Sequence, residues 1–483
     1  MLAFFSLLIY DQIMFYGREH ELNIIKNAIG SRRAELGIVY GRRRVGKSTL
    51  LTKAAARKKD LYFEGLQQAS LKKQIGHFMQ QLADQTGTPR SVARDWREAF
   101  DVFSFHIRKG KHYIVFDEFP WMASGRSELV SLLKFFWDNR WKANPGITLV
   151  LCGSIAGFML NHLVHSKALH NRKTFEIKLA PLPASEAKLF FKQFRSDFEI
   201  AKFLMVFGGI PKYLEQIDPR HSLVNNVDRL CFQKHGFFLT EFETIFKEQF
   251  KVTRTYERIV KCLAERSCAK EELAQRLGMA SGGGLTGYIN GLEQADFVNV
   301  FTPKSVLGKG DKTRKLVLWD EWLRFYFTYI APNRKVIELN THPGLFEQLA
   351  GSSLDTYFGL CFERLCLKNL SRIFSRMEMD ISSIIGFGPF FRQRKRKGKN
   401  ESGLQIDILV RRKGQVLTLI ECKFSSQPVG ISVIKDVQRK VKLLKAPRIF
   451  TLERVLICAG EVTAPLQNSD YFHHILGLDA IFG

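Results

Sequence analysis

The 483-residue sequence predicts an α/β protein of several domains, the first of them built on a parallel sheet. Three observations carry this expectation. The chain is too long for a single hydrophobic core, so about three domains are expected. A short apolar strand, Leu36–Tyr40, runs into a glycine-bounded loop and then into a stretch of helical character, Ser48–Ala56. Towards the far end, two β-prone runs, 405–409 and 416–424, are separated by Lys413-Gly414 in the manner of a hairpin.

Composition bounds the rest. Hydrophobic residues make up 45% and charged residues 25%, which excludes a disordered tail or a fibrous repeat. Lys and Arg number 73 against 47 Asp and Glu, a net charge of +26. Such a field attracts polyanions, either nucleic acid or an anionic membrane surface, although a cytoplasmic protein can also simply be basic. No basic amphipathic helix with bulky apolar anchors stands out, which argues against a membrane partner. The eight cysteines include no Cys-x-x-Cys pair; Cys361, Cys366 and Cys422 read as small core residues of a reducing compartment. Residues 1–13 are apolar but lack a basic n-region and are too short to span a bilayer, so they read as a mis-called extension before Met14. A cytoplasmic location follows.

The first module is expected over 14–235. Strand, Gly41-Arg42-Arg43-Arg44-Val45-Gly46-Lys47-Ser48 and helix is the context in which a P-loop match carries weight. Gly41 and Gly46 let the backbone curl so that its N–H groups converge on phosphates, and the following helix adds its positive end. Lys47 is expected on the β and γ oxygens of ATP, Ser48 on Mg²⁺, and the segment through Thr49 forms the nucleotide-binding loop. A second apolar strand, His112–Phe116, ends in Asp117-Glu118. Asp117 is the expected Mg²⁺ partner and Glu118 the general base for the attacking water. A third strand, Thr148–Cys152, ends at Gly153-Ser154, where Ser154 suits a γ-phosphate sensor, although Gly-Ser is also ordinary turn chemistry.

These segments resemble the archaeal-type ATPases, an AAA+-like branch close to the STAND signalling ATPases. The resemblance rests on Phe15-Tyr-Gly-Arg-Glu-His-Glu-Leu22, Tyr40 to Leu50, Val115-Phe-Asp-Glu-Phe-Pro-Trp121, Cys152-Gly-Ser154 and Phe207-Gly-Gly-Ile-Pro-Lys-Tyr-Leu214. It implies that Arg172 is a finger on the γ-phosphate, in cis or from a neighbouring subunit of a homo-oligomer. Members often carry Tyr-Gly before that arginine, whereas this chain has His170-Asn171. It also implies that Pro211 belongs to a Gly-x-Pro element near the adenine; without the resemblance, Pro211 reads as the first residue of a helix.

Over 236–335 the spacing predicts three short helices. Tyr256, Ile259, Val260 and Leu263 recur at helical intervals, as do Leu285, Tyr288, Ile289 and Leu292, and 269–278 lies between them. The β-prone Phe297–Phe301 and a Gly/Lys-rich bend follow, which suggests a winged helix-turn-helix. Its third helix is poor in groove-reading side chains, with Asn290 the one amide near its exposed face. A plain lid or interaction module fits the same pattern.

Over 336–483, the apolar helix Tyr357–Leu367 carries one acid, Glu363. A basic loop, 392–399, precedes the hairpin. Alternation puts Glu421 and Lys423 on one strand face, within reach of Asp407 on the adjacent strand. Two carboxylates, a lysine and a helix glutamate suit Mg²⁺-dependent phosphodiester hydrolysis, with Asp407 and Glu421 as metal ligands. The alternative is a surface ion-pair ladder, but bare charges on otherwise apolar strands are costly unless they bind something. The pattern resembles the PD-(D/E)xK nucleases, a module of which commonly follows the archaeal-type ATPase domain, where it was described as a domain of unknown function. The expected whole is therefore a P-loop NTPase parallel sheet with a helical lid, a winged helix-turn-helix and a restriction-endonuclease-like α/β C-terminal domain, acting on or binding DNA. The rival reading is a nucleotide-dependent regulatory switch that binds DNA or a protein and keeps the nuclease fold as a scaffold.

Overall fold

The computed structural model describes residues 15–55, 60–123, 128–166, 169, 171–250, 253–301, 314–340, 342–392 and 403–483. The expected extension 1–13 and its boundary at Met14, His170, residues 302–313 of the Gly/Lys-rich bend and residues 393–399 of the basic loop lie outside them. The chain divides after Pro181 into two compact units.

In the first unit, β1 (Glu35–Tyr40), β2 (Leu61–Glu64), β3 (His112–Asp117), β4 (Ile147–Gly153) and β5 (Phe175–Lys178) form one sheet in the order β2-β3-β4-β1-β5. Every pair is parallel. A parallel sheet needs helices on both faces, so its inner strands read as unbroken apolar runs, and β1, β3 and β4 are buried along their whole length. Gly37 has a steric cause: a Cβ there would overlap the ring of Phe175 on the neighbouring strand. One face is filled by aromatic rings, among them Phe63, Phe78, Phe100, Phe103, Phe116 and Trp141. The Trp96–Ile107 helix supplies several of them because Trp96, Ala99, Phe100, Phe103 and Ile107 fall at helical spacing. Its start is fixed by Asp95, whose side chain accepts from the Glu98 N–H at 2.9 Å.

The second unit holds helices that the sequence grouped with the first module. The Asp197–Phe207 helix buries Ile200, Ala201, Phe203, Leu204, Met205, Val206 and Phe207. A helix apolar on nearly all sides must be covered on all sides, and this one packs on the Glu321–Phe325 and Ser353–Lys368 helices. The division between the two compact units therefore falls at 181/182, within the 14–235 segment that the sequence groups as one module. Next come the helices Thr253–Glu265, Lys270–Leu277 and Gly283–Gln294, with an antiparallel sheet of β6 (Cys268–Ala269), β7 (Val298–Phe301) and β8 (Lys315–Leu318) in the order β6-β8-β7. Ile259, Val260, Leu263, Leu285, Ile289 and Leu292 are buried, as their spacing predicts.

The last sheet comprises β9 (Ile384–Arg392), β10 (Leu404–Arg412), β11 (Val416–Lys423), β12 (Thr451–Cys458) and β13 (His474–Leu476), in the order β13-β12-β11-β10-β9. β9, β10 and β11 run antiparallel, while β11, β12 and β13 run parallel. The β10–β11 turn needs positive φ at Gly414 (72°) and Gln415 (63°). The Ser432–Leu444 helix carries the chain from β11 to β12, as a parallel connection requires.

Among the described residues, no helix is long and apolar enough to cross a membrane. All eight cysteines carry free thiols, and Cys361, Cys366 and Cys422 are buried. Phe78 stacks on Phe63 with ring centroids 4.4 Å apart and is ringed by Trp96, Phe100, Phe103 and Phe116. Phe78→Ala should therefore cost about 3–5 kcal/mol of the first unit's stability, read by urea unfolding; a loss under about 1 kcal/mol would mean the ring cluster is not the core.

Candidate functional site

Because all strands of the first sheet run the same way, the segments that follow β1, β3 and β4 emerge at one edge, where open α/β sheets bind ligands. Gly41 to Gly46 leave β1 there, and Lys47 begins the Lys47–Ala54 helix. Gly46 takes φ 88°, and Arg44 the less comfortable 71°. Gly41 cannot carry a side chain, because a Cβ would overlap the Leu179 carbonyl oxygen. Lys47 is buried, and its Nζ donates to the carbonyls of Gly41 and Arg42, both at 3.0 Å. Thr49 follows Lys47 and Ser48 in the first turn of that helix, and Arg42, Arg43 and Val45 complete the loop.

Ser48 Oγ donates to Asp117 Oδ2 at 2.6 Å. The Tyr62 hydroxyl, on β2, donates to the same oxygen. Burial and the Asp117 charge push the Tyr62 hydroxyl far above the usual tyrosine range, so it remains a donor. Asp117 Oδ1 accepts from the Glu118 N–H at 2.8 Å. Glu118 itself sits at φ 47°, and both of its carboxylate oxygens lie 2.9 Å from Ser154 Oγ. Glu64 pairs in register with Asp117. Burial, Asp117 and Glu118 raise its pKa, against the pull of Arg43.

One expected residue stands elsewhere. Arg172 precedes β5, and its Nε and Nη2 grip Asp138 at 2.6–2.9 Å beside Arg33 and Lys142. The pair holds the Asp138 carboxyl below its ordinary value. Arg33 precedes β1 and Lys142 precedes β4, so this is the amino edge of the sheet, opposite the P-loop. The six residues of β1 alone span about 20 Å. A cis finger on the γ-phosphate is ruled out in this arrangement by that separation. Pro211 opens the Pro211–Leu214 helix of the second unit, the role its residue type predicts without the resemblance.

The C-terminal residues do converge. Ile408 pairs with Ile420, which brings Asp407 and Glu421 next along the ladder. The Ser353–Lys368 helix crosses β10 and β11 and delivers Glu363 to the same place. All three acids line a cavity of about 500 Å³ together with Lys423. Lys315, Arg392, Arg439 and Lys440 add a basic wall, Lys315 coming from β8. Asp407 and Glu421 are almost fully buried, 6% and 1% exposed. Asp407 Oδ2 accepts from the Cys422 N–H at 2.9 Å. Lys423 Nζ lies 3.0 Å from Glu421 Oε1, and Lys440 Nζ lies 2.5 Å from Glu421 Oε2 and 3.5 Å from Asp407 Oδ1. Burial and Glu421 raise the Asp407 pKa, against Lys440. Burial works against the Lys423 ammonium, but Glu421 outweighs it and holds Lys423 above the ordinary lysine value. Among the described residues, no three His, Cys, Asp or Glu side chains stand close enough to hold a metal ion as arranged. The expected metal ligands face ammonium groups instead.

Sequence reasoning missed Tyr62, Glu64, Lys315 and Lys440. Only Lys440 left a signal. It shares the spacing of Val433, Val437 and Leu444, the buried positions of its helix, and so interrupts an apolar stripe with a charge.

A family model for an ATPase domain found predominantly in Archaea matches residues 15–217. A second, for archaeal and bacterial proteins of unknown function, matches residues 326–438. The chain is 27% identical over 354 residues to an uncharacterized protein of Methanocaldococcus jannaschii, covering 73% of this chain and 76% of that one. Over 50 residues it is 42% identical to an uncharacterized ATP-binding protein of the same organism, covering 10% of this chain and 85% of the relative. Similar solved structures include a Walker-type ATPase of Pyrococcus abyssi, at 16% identity and TM-score 0.47, covering 65% of this chain and 96% of that one. The ORC2 protein of Aeropyrum pernix gives 14% and 0.45, covering 68% and 97%. The chain carries an archaeal-type ATPase domain joined to a C-terminal domain of unknown function, and it is an ATPase.

Burial and the neighbouring Asp407 push the Glu363 carboxyl up to about 7. Its folded pKa exceeds its unfolded one, so its contribution to stability is complete below about pH 4.5 and is lost as pH rises through about 7, by at most roughly 3 kcal/mol. Glu363→Gln should flatten the stability profile between pH 5 and 8, as read by chemical unfolding at each pH; an unchanged slope would refute the assignment.

Proposed function

We propose that the archaeal-type ATPase domain of this chain works with a metal-dependent, nuclease-like C-terminal domain that binds or cuts DNA. The observation that carries this reading is the convergence of Asp407, Glu421, Glu363 and Lys423 on one cavity with a basic wall. The mixed sheet supports a restriction-endonuclease-like fold: three antiparallel strands, then a helix into parallel β12. The preceding helix–strand–helix–helix–strand–strand order supports a winged helix, with Gly283–Gln294 as the groove element and Asn290 exposed on it.

In the ATPase site, Lys47 exchanges two carbonyl partners for the phosphate oxygens of ATP. A hydroxyl and a carboxylate 2.6 Å apart are hard oxygen donors that suit Mg²⁺, so Ser48 and Asp117 would hold the ion, which when bound offsets phosphate charge. Tyr62 keeps Asp117 oriented. Glu118 accepts the proton of the attacking water, and Ser154 holds that carboxylate in line while sensing the γ-phosphate. Gly41 to Thr49 supply the N–H cradle. We assign Arg172 to a neighbouring subunit's γ-phosphate, because its own P-loop lies at the other edge of the sheet.

In the C-terminal site, buried carboxylate oxygens again suit a hard divalent cation, so Asp407 and Glu421, with Glu363 on the same cavity, would hold Mg²⁺, which when bound offsets charge on a phosphodiester. Lys423 orients the attacking water. Lys315, Arg392 and Arg439 bind flanking phosphates, a contact that weakens as salt rises. The rival reading, a regulatory switch with a silent nuclease fold, is favoured by one observation: Glu421 is already answered by Lys423 and Lys440, and Asp407 by Lys440.

Cleavage of linear, circular and single-stranded DNA with Mg²⁺ or Mn²⁺, with and without ATP, separates the two. Activity is expected in the wild type, to vanish in Glu421→Ala/Lys423→Ala, and to change in Lys47→Ala, which should also abolish ATP hydrolysis. No cutting under any condition, with hydrolysis intact, favours the switch.

A further inference from the structure

Asp407 and Glu421 in the C-terminal cavity are not bare carboxylates. Lys440 enters from the Ser432–Leu444 helix, on the stripe that otherwise buries Val433, Val437 and Leu444. Its side chain is 13% exposed, and its ammonium bridges Glu421 Oε2 at 2.5 Å and Asp407 Oδ1 at 3.5 Å. The remaining oxygens are also occupied. Glu421 Oε1 faces Lys423 at 3.0 Å, and Asp407 Oδ2 takes the Cys422 N–H at 2.9 Å.

The two lysines are not equivalent. Lys423 is 36% exposed at the end of β11 and, among the described residues, pairs with one oxygen of one acid. Among the described residues, Lys440 alone lies between the two acids, which is the position a divalent cation needs in order to be shared by them. Burying two carboxylates without such a cation is strongly unfavourable, and removing one partner of a buried ion pair is far more costly than replacing it with another. The ammonium is tethered, so it is present at any metal concentration.

We propose that Lys440 is a built-in counter-cation which occupies the divalent-metal position between Asp407 and Glu421, so that metal enters only by displacing it. The inference rests on the reading of this cavity as a metal site and adds its regulation. The domain is held folded and metal-poor by its own lysine. Metal loading then requires an event that draws Lys440 away, and a phosphodiester entering the cavity offers the ammonium an alternative anion.

The test uses the full chain without nucleotide, with Mn²⁺ as the probe, read by calorimetric titration and by thermal unfolding. Lys440→Met should lower Tm in chelator, because two buried carboxylates lose their cation. Millimolar Mn²⁺ should restore it, and Mn²⁺ should bind at least about tenfold more tightly than to the wild type. Adding Glu421→Gln to Lys440→Met should abolish both effects. Lys440→Gln repeats the comparison with a polar, uncharged end should Lys440→Met not fold. If Mn²⁺ binds wild type and Lys440 variants equally, and Glu421→Gln abolishes that binding, the cavity is a metal site but Lys440 does not guard it. If no Mn²⁺ binding depends on Glu421 in any variant, the metal reading fails and the proposal falls with it. Loss of stability that Mn²⁺ leaves unrepaired overturns the proposal as well.

Discussion

Asp117 is 3% exposed at the end of β3, and Asp407 and Glu421 are buried within β10 and β11. A carboxylate in such a place costs several kcal/mol unless its oxygens meet donors or cations. The surroundings of both sites follow from that demand. Asp117 is met by the Ser48 and Tyr62 hydroxyls and by the next N–H in the chain. Asp407 and Glu421 are met by two ammonium groups and a backbone N–H. The kind of partner differs, and with it the chemistry. Hydroxyls leave the Asp117 charge uncancelled, whereas ammonium groups cancel the charge of the C-terminal pair.

The sheets explain how those carboxylates arrive. In the all-parallel first sheet, the P-loop, Asp117-Glu118 and Ser154 share an edge because every strand ends there. In the last sheet, β10 and β11 are antiparallel, so Asp407 near the start of one meets Glu421 near the end of the other. The helix that brings Glu363 is held against β11 by Phe358 and Phe362, which pack on Phe424, and Phe198 stacks on that same ring from the Asp197–Phe207 helix. The C-terminal acids are thus braced by a helix that contiguity in sequence would assign to the ATPase half.

The legible part of the site was short-range. Gly41 to Ser48 must be read as a loop between strand and helix, since spacing alone dictates where its N–H groups point, and Asp117-Glu118 ends a run apolar enough to be a central strand. The hairpin with Glu421 and Lys423 was legible for the same reason, as strand alternation fixes their shared face. Arg172 was different. Its expected role came from resemblance, and the distance between the two edges of a sheet is not written in any local pattern.

The sequence by itself determined the nucleotide loop, the acidic strand ends and the helical stripes, because propensity, alternation and spacing act over a few residues. Only the tertiary structure decided that residues 182–235 pack with the second unit, that Tyr62 braces Asp117, and that Lys440 stands between Asp407 and Glu421. Each of these joins residues 19 to more than 50 positions apart. Which distant donor answers a buried charge depends on how helices and strands pack, and packing is a property of surfaces that meet only after the chain has folded.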